Sequence, residues 1–79
     1  MAYYTYDEEA DALYILLVEE SDASIHRTVA LSERLHVDVD QTGRAVGVEI
    51  LSPGRGKIDL EVVRERFGIE IRLPFTFAA

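Results

Sequence analysis

The apolar positions in the first half of the chain predict three strands separated by acidic turns. Tyr3–Tyr6 is rich in aromatic and β-branched residues, which favours a strand. Ala12–Val18 is apolar at every position, and its length and the turn signals around it favour a strand that is covered on both faces. Ser24–Leu31 predicts a third strand, with Ile25, Arg27, Val29 and Leu31 on one face and His26, Thr28 and Ala30 on the other. The acidic stretches Asp7–Asp11 and Glu19–Ala23 are expected to form turns.

The clearest local signal is a hairpin over residues 35–51. Its alternating apolar positions are Leu35, Val37, Val39, Val46, Val48 and Ile50. Pairing residue 39 with residue 46 places all six side chains on one face, and a slip by one residue would mix the faces. Gly43 can supply the positive φ that such a hairpin loop often needs. On the other face, His36 then lies opposite Glu49, and Asp38 lies opposite Gly47.

A helix is expected after the break in regular structure at residues 52–57. Asp59 is a suitable N-cap, Ile58 and Val63 can form a hydrophobic staple, and Gly68 occupies the position of a terminal glycine. The apolar face of this helix consists of Leu60, Val63 and Phe67.

The last stretch, Ile69–Phe77, predicts either a further strand or an apolar tail. Leu73, Phe75 and Phe77 lie near a terminus, where a monomer has little core left to cover them, so they are a candidate dimer contact. The elements together predict a single α+β domain over residues 1–79. Its small antiparallel β-sheet has about five strands in a meander that includes the 35–51 hairpin, followed by one C-terminal α-helix and a short apolar tail.

Composition narrows the function classes. With 79 residues the chain is one domain, and its formal net charge of −7 argues against nucleic acid as a direct partner. The chain has no cysteine, which excludes disulfides, thiolate metal sites and cysteine nucleophiles. The N-terminus lacks the features of a signal peptide, and the longest apolar run is far too short for a membrane span. We therefore expect a cytoplasmic protein that is not associated with a membrane.

The net charge comes entirely from the first third of the chain, since residues 25–79 contain equal numbers of acids and bases. The acids Asp7, Glu8, Glu9 and Asp11 are a candidate docking surface for a basic protein partner. The favoured interpretation of this acidic segment is a solvated turn between two strands. A third interpretation is a loose cation site. An EF-hand is excluded, because the sixth and twelfth positions counted from Asp7 hold Ala12 and Val18 instead of glycine and glutamate.

His36, Asp38 and Glu49 share the polar face of the predicted hairpin. A histidine with two carboxylates is a candidate metal, ligand or acid–base cluster. A plain polar face is favoured, because polar pairs across strands ordinarily stabilise sheets. Gly47 opposite Asp38 leaves space above the backbone, which can mark the close approach of a ligand or another chain.

No residue pattern predicts catalysis. Gly54–Lys57 precedes the helix, but Ile58 stands where a phosphate-binding loop needs a hydroxyl group. The serines have no recognisable nucleophile context. We therefore assign no catalytic residue, cofactor or resident metal.

Two segments at a characteristic spacing carry a family resemblance. The first is Tyr6–Ile15 (YDEEADALYI), and the second combines Val37–Asp40 (VDVD) with Gly43 and Val46–Leu51 (VGVEIL). Together they resemble the YuzE-like family (domain-of-unknown-function family 2283), small bacterial proteins of unknown function, over roughly residues 4–52. The resemblance implies a small α+β domain with an antiparallel sheet, brings no catalytic residues, and suggests an antitoxin-like role.

These observations favour a non-enzymatic protein-interaction module that acts as a homodimer and holds a basic protein partner. The alternative is a small metal- or ligand-binding protein, or an enzyme, that uses the face formed by His36, Asp38 and Glu49.

Overall fold

The computed structural model describes residues 3–55 and 58–71, and these form a five-stranded antiparallel sheet with one α-helix. The elements are β1 (Tyr3–Asp7), β2 (Ala12–Leu16), β3 (Arg27–Ala30), β4 (Leu35–Val39), β5 (Ala45–Leu51) and α1 (Glu61–Phe67). Two 3-10 turns lie at Glu20–Asp22 and Pro53–Arg55. The predicted α+β class, the five strands and the C-terminal helix are confirmed.

The strand order is β1-β2-β5-β4-β3. Strands β3, β4 and β5 form the expected meander, whereas β5 returns to pair with β2, which leaves β1 and β3 at the edges. The two most apolar strands therefore occupy the interior of the sheet. Strand β2 is buried on both faces, as predicted, although it ends at Leu16. The strand expected over Ser24–Leu31 is confined to Arg27–Ala30.

The predicted pairing of residue 39 with residue 46 is wrong. The backbone N–H of Asp40 donates to the carbonyl of Arg44 (2.9 Å), which closes a loop one residue shorter than that register requires, and Val39 pairs with Ala45. A β-bulge at Val46 then restores the expected pairs further along the hairpin. The side chain of Val46 consequently packs on the other face of the sheet, against Leu16. The positive φ at Gly43 is confirmed at 87°.

Helix α1 packs against one face of the sheet through Val63, which is fully buried. The sheet residues of this core are Leu13, Ile15, Leu35, Val37, Val39, Ala45, Val48 and Ile50. Leu60, and not the expected Asp59, takes the N-cap position; its backbone is already helical (φ −76°, ψ −11°), and its side chain makes no capping bond. The Asp59 carboxylate still accepts the backbone N–H of Glu61 at 3.1 Å. Gly68 ends the helix with a φ of 69°, as predicted.

Residues 69–71 follow the helix without regular secondary structure. The candidate dimer contact at Leu73, Phe75 and Phe77 lies outside the described residues. Within the described part of the chain, no helix combines the length and the apolar character that crossing a membrane requires.

Candidate functional site

One face of the sheet packs against α1, and the opposite face carries most of the polar strand side chains. We call this second surface the open face. By the strand register, its polar and glycine positions are Thr5, Asp7, Tyr14, Thr28, His36, Asp38, Gly47 and Glu49. Leu16, Val18, Val46 and Ala23 form a small apolar cluster at one end of this face.

A hydrogen-bonded network crosses the middle of the open face. The Tyr14 hydroxyl group, from β2, donates to Oδ2 of Asp38 on β4 at 2.7 Å. Thr28, on the edge strand β3, donates to Oδ1 of the same carboxylate at 2.5 Å. To reach Asp38, the Tyr14 side chain passes over Gly47 on the intervening strand β5. The network thus joins side chains from β2, β3 and β4, and it depends on a glycine in β5.

Gly47 makes this crossing possible because it has no Cβ. A Cβ at position 47 would lie 2.9 Å from Cε2 of Tyr14, and closer still to Cζ and the hydroxyl oxygen. The space above Gly47 that the sequence predicted is therefore filled by an aromatic ring of the same chain. The absence of a side chain at Gly47 thus lets Tyr14 reach Asp38.

Tyr14 acts as a donor in this network. Burial raises the pKa of the Tyr14 hydroxyl group, and the hydrogen bond to Asp38 raises it further. The hydroxyl group consequently keeps its proton over the physiological pH range and holds the Asp38 carboxylate in one orientation.

His36 and Glu49 form a separate pair, with Nδ1 of His36 3.4 Å from Oε1 of Glu49 across β4 and β5. Asp38 shares their face, but it accepts its hydrogen bonds from Tyr14 and Thr28. In residues 3–55 and 58–71, no three His, Asp or Glu side chains are grouped as a metal site would require. The proposed use of these three residues as one ligand-binding cluster stays a prediction.

Two carboxylates of the acidic turn between β1 and β2 accept hydrogen bonds from nearby residues. Oδ1 of Asp7 accepts the backbone N–H groups of Glu9 (3.1 Å) and Ala10 (3.3 Å). Asp11 has a φ of 48°, and its Oδ1 accepts the Tyr6 hydroxyl group at 2.5 Å. This bond raises the pKa of Tyr6. Glu8 and Glu9 are exposed. Docking of a basic protein partner at this turn stays a prediction.

A concavity of about 500 Å³ lies where the chain between β2 and β3 passes along the open face. Two carboxylates, two hydroxyl groups and an apolar wall line it: Asp38 and Glu20, Thr5 and Tyr14, and Leu16, Ala23 and Ile25. Ile25 is 56% exposed, so most of its side chain is available for contact.

Sequence reasoning found Asp38 and Gly47 but missed Tyr14, Thr28 and Glu20. Tyr14 carries the single hydroxyl group in the apolar run of residues 12–18, which is the one signal of it in the sequence. Its position next to Gly47 depends on the pairing of β2 with β5, which the sequence pattern does not give. Glu20 could not have been found, because its place at the concavity depends on the path of an irregular segment.

No curated protein and no solved structure matches the chain. A family model described as "Protein of unknown function (DUF2283)" matches residues 4–52, which extend from β1 to the 3-10 turn after β5 and include the whole Tyr14–Asp38–Thr28 network. The chain therefore belongs to the DUF2283 family of proteins of unknown function.

Proposed function

We propose that the chain is a non-enzymatic protein-interaction module whose open face binds a basic segment of a partner protein. The distribution of charge over the two faces of the sheet is the observation that carries this proposal. A partner of opposite charge would be steered to one face and oriented on it.

The strand positions of the open face include three acids and no lysine or arginine among the described residues. These acids are Asp7, Asp38 and Glu49. The helix side is closer to neutral: Arg27 lies opposite Val39 of the core, and the two arginines of α1 are balanced by two glutamates of the same helix, Glu61 and Glu65. The two faces of this domain therefore present different charge to an approaching partner.

The chemistry of the open face supports binding and not catalysis. Asp38 accepts hydrogen bonds from two hydroxyl groups. The raised pKa of Tyr14 keeps that phenol protonated, so it is a poor nucleophile and a poor general base near neutral pH. The groups are arranged to hold one another in fixed positions, which suits recognition.

Affinity capture tests this proposal. The tagged chain and two charge-reversal variants are incubated with extract of the organism that encodes the chain, at low and moderate salt. Glu49→Arg changes the open face, and the control Glu65→Arg makes the same change on an exposed position of α1. We expect a basic protein that the wild type and Glu65→Arg retain in stoichiometric amount and that Glu49→Arg loses. Equal retention by all three proteins, or no stoichiometric partner, would refute the proposal.

The partner's identity bears on the antitoxin-like role that the family resemblance suggests. In that role the captured basic protein is a small toxin whose activity falls when the open face binds it. A growth assay in which the partner is expressed alone, with the wild type and with Glu49→Arg tests this directly. Relief of growth inhibition by the wild type only is the expected result, and a partner that is harmless alone would contradict the role.

We also propose that the module is a homodimer, supported by the apolar sequence at Leu73, Phe75 and Phe77. Sedimentation of the full chain and of a chain ending at residue 72 tests this. We expect a dimer for the first and a monomer for the second. Sedimentation of the full chain at its monomer mass of 8.9 kDa would contradict it.

A further inference from the structure

We infer that the concavity on the open face is a pocket for one arginine side chain of the partner protein. This inference rests on the proposed function and names the group by which the partner is held. It stands on the position of two carboxylates, an apolar wall and an aromatic ring around the same space.

The carboxylates come from two separate elements, Asp38 from β4 and Glu20 from the 3-10 turn, and both line the concavity. Each oxygen of Asp38 accepts one hydroxyl group, one from Tyr14 and one from Thr28. Because a carboxylate oxygen has two lone pairs, each of these oxygens retains one for a further donor. A cation with several donors would satisfy both carboxylates together.

The apolar wall matches the stem of a long basic side chain. Leu16, Ala23 and Ile25 lie along the concavity, and Ile25 is the most exposed of the large hydrophobic residues described. Methylene groups packed on this wall would remove apolar surface from water while the charged head reaches the carboxylates. An anionic ligand would meet two like charges, so the lining selects for a cation.

Arginine fits this lining better than lysine does. The guanidinium group is planar, carries five N–H donors, is more weakly hydrated than an ammonium group, and stacks on aromatic rings. Tyr14 presents such a ring at the concavity, and its hydroxyl group fixes the nearby carboxylate. The N–H groups of the guanidinium can then donate to a carboxylate that is already held in position, which lowers the entropic cost of binding.

Titration with blocked peptides tests the pocket without the natural partner. The probes are acetyl-Gly-Arg-Gly-amide and the same peptide with citrulline, which keeps the shape of arginine but has no charge. Binding is followed by amide chemical shifts of the full-length ¹⁵N-labelled protein. We expect the arginine peptide to shift Ala23, Ile25 and Asp38, and the citrulline peptide to bind at least ~10-fold more weakly, since charge-assisted hydrogen bonds are about twice as strong as neutral ones.

Substitutions locate the site. Glu20→Gln should weaken the arginine peptide several-fold, while Glu19→Gln, an identical change on the neighbouring residue that does not line the concavity, should leave binding unchanged. Asp38→Asn should weaken it further. Because Asp38→Asn also disturbs the Tyr14 and Thr28 bonds, the comparison of Glu20→Gln with Glu19→Gln decides the question if the Asp38 variant unfolds.

Equal binding of the arginine and citrulline peptides, or shifts confined to α1, would overturn the pocket. So would equal effects of Glu19→Gln and Glu20→Gln. If the pocket fails while the captured partner is still lost on Glu49→Arg, the proposed function stands and only the pocket is wrong. If the peptide binds as expected while no partner is captured, the pocket stands and the proposed function is wrong.

Discussion

Replacing Gly47 with alanine should break the contact on which the open face depends. The new Cβ would lie 2.9 Å from Cε2 of Tyr14 and nearer still to its Cζ and hydroxyl oxygen. The ring of Tyr14 must therefore move, and its hydrogen bond to Asp38 is lost.

The expected loss of stability comes from the hydrogen bond and the packing that the Tyr14 ring loses. A hydrogen bond to a charged group contributes about 1.5–3 kcal/mol, and the forced displacement of a packed side chain costs about 1–3 kcal/mol, with both figures describing the same movement. Alanine in a strand is more favourable than glycine by about 0.5–1 kcal/mol, which offsets part of this cost. We expect a net loss of about 1–2 kcal/mol in the free energy of unfolding.

Urea denaturation followed by circular dichroism measures this loss. In thermal melts, a change of about 1 kcal/mol corresponds to about 4–8 °C in Tm for a domain of this size. Gly54→Ala is the matched control, because a Cβ there meets no atom within 4 Å, and it should change stability little.

The same substitution in a Tyr14→Ala background isolates the contact. With the ring absent, Gly47→Ala should cost nothing or stabilise the protein by about 0.5–1 kcal/mol, so the two substitutions are strongly non-additive. An equal cost of Gly47→Ala in both backgrounds would show that the packing of Tyr14 over Gly47 does not determine the effect.

Three further predictions concern single hydrogen-bonding side chains. Burial and the hydrogen bond to Asp38 raise the pKa of Tyr14, so the protonated phenol contributes stability that is present below the unfolded pKa of 10.0 and is lost as pH rises through the folded value. The stability advantage of wild type over Tyr14→Phe should therefore shrink in alkali; a pH-independent difference would contradict this. Hydrogen bonds from Thr42 and from the Arg44 backbone lower the pKa of Asp40, so Asp40→Ala should destabilise the hairpin at neutral pH and matter less as pH falls below 3.8, as thermal melts across that range would show; an effect that persists in acid would refute it. Nε of Arg34 donates to the Leu51 carbonyl at 3.0 Å, so Arg34→Met should lower the free energy of unfolding by about 1–2 kcal/mol in urea titrations; an unchanged midpoint would count against that role.

The hairpin shows how far the sequence predicts the fold. Alternation fixed the faces of β4 and placed residue 37 opposite 48 and residue 35 opposite 50, as the structure has them. The predicted pairing next to the loop was wrong by one residue, because the alternation of apolar and polar residues does not determine the length of the loop. The Asp40 carboxylate, which accepts the N–H groups of Thr42 and Arg44, and the bulge at Val46 decide that length.

The candidate site was predictable only where it lies within regular strands. Asp38 and Gly47 were placed opposite each other from spacing alone, and they are. The link from Tyr14 to Asp38 spans 24 residues and depends on β5 lying between β2 and β4, an order that hydrophobic periodicity does not contain. Glu20 lies on a 3-10 turn, where no periodicity indicates a direction.

Site-specific photo-cross-linking tests most directly whether the open face is the binding surface. A benzoylphenylalanine is placed at Thr5, an exposed residue of the open face, or at Glu65, an exposed residue of α1. Each variant is irradiated with the captured partner, or with cell extract. We predict a cross-link to a basic protein from position 5 and none from position 65. Cross-linking from position 65 alone, or equally from both positions, would contradict the assignment of the open face.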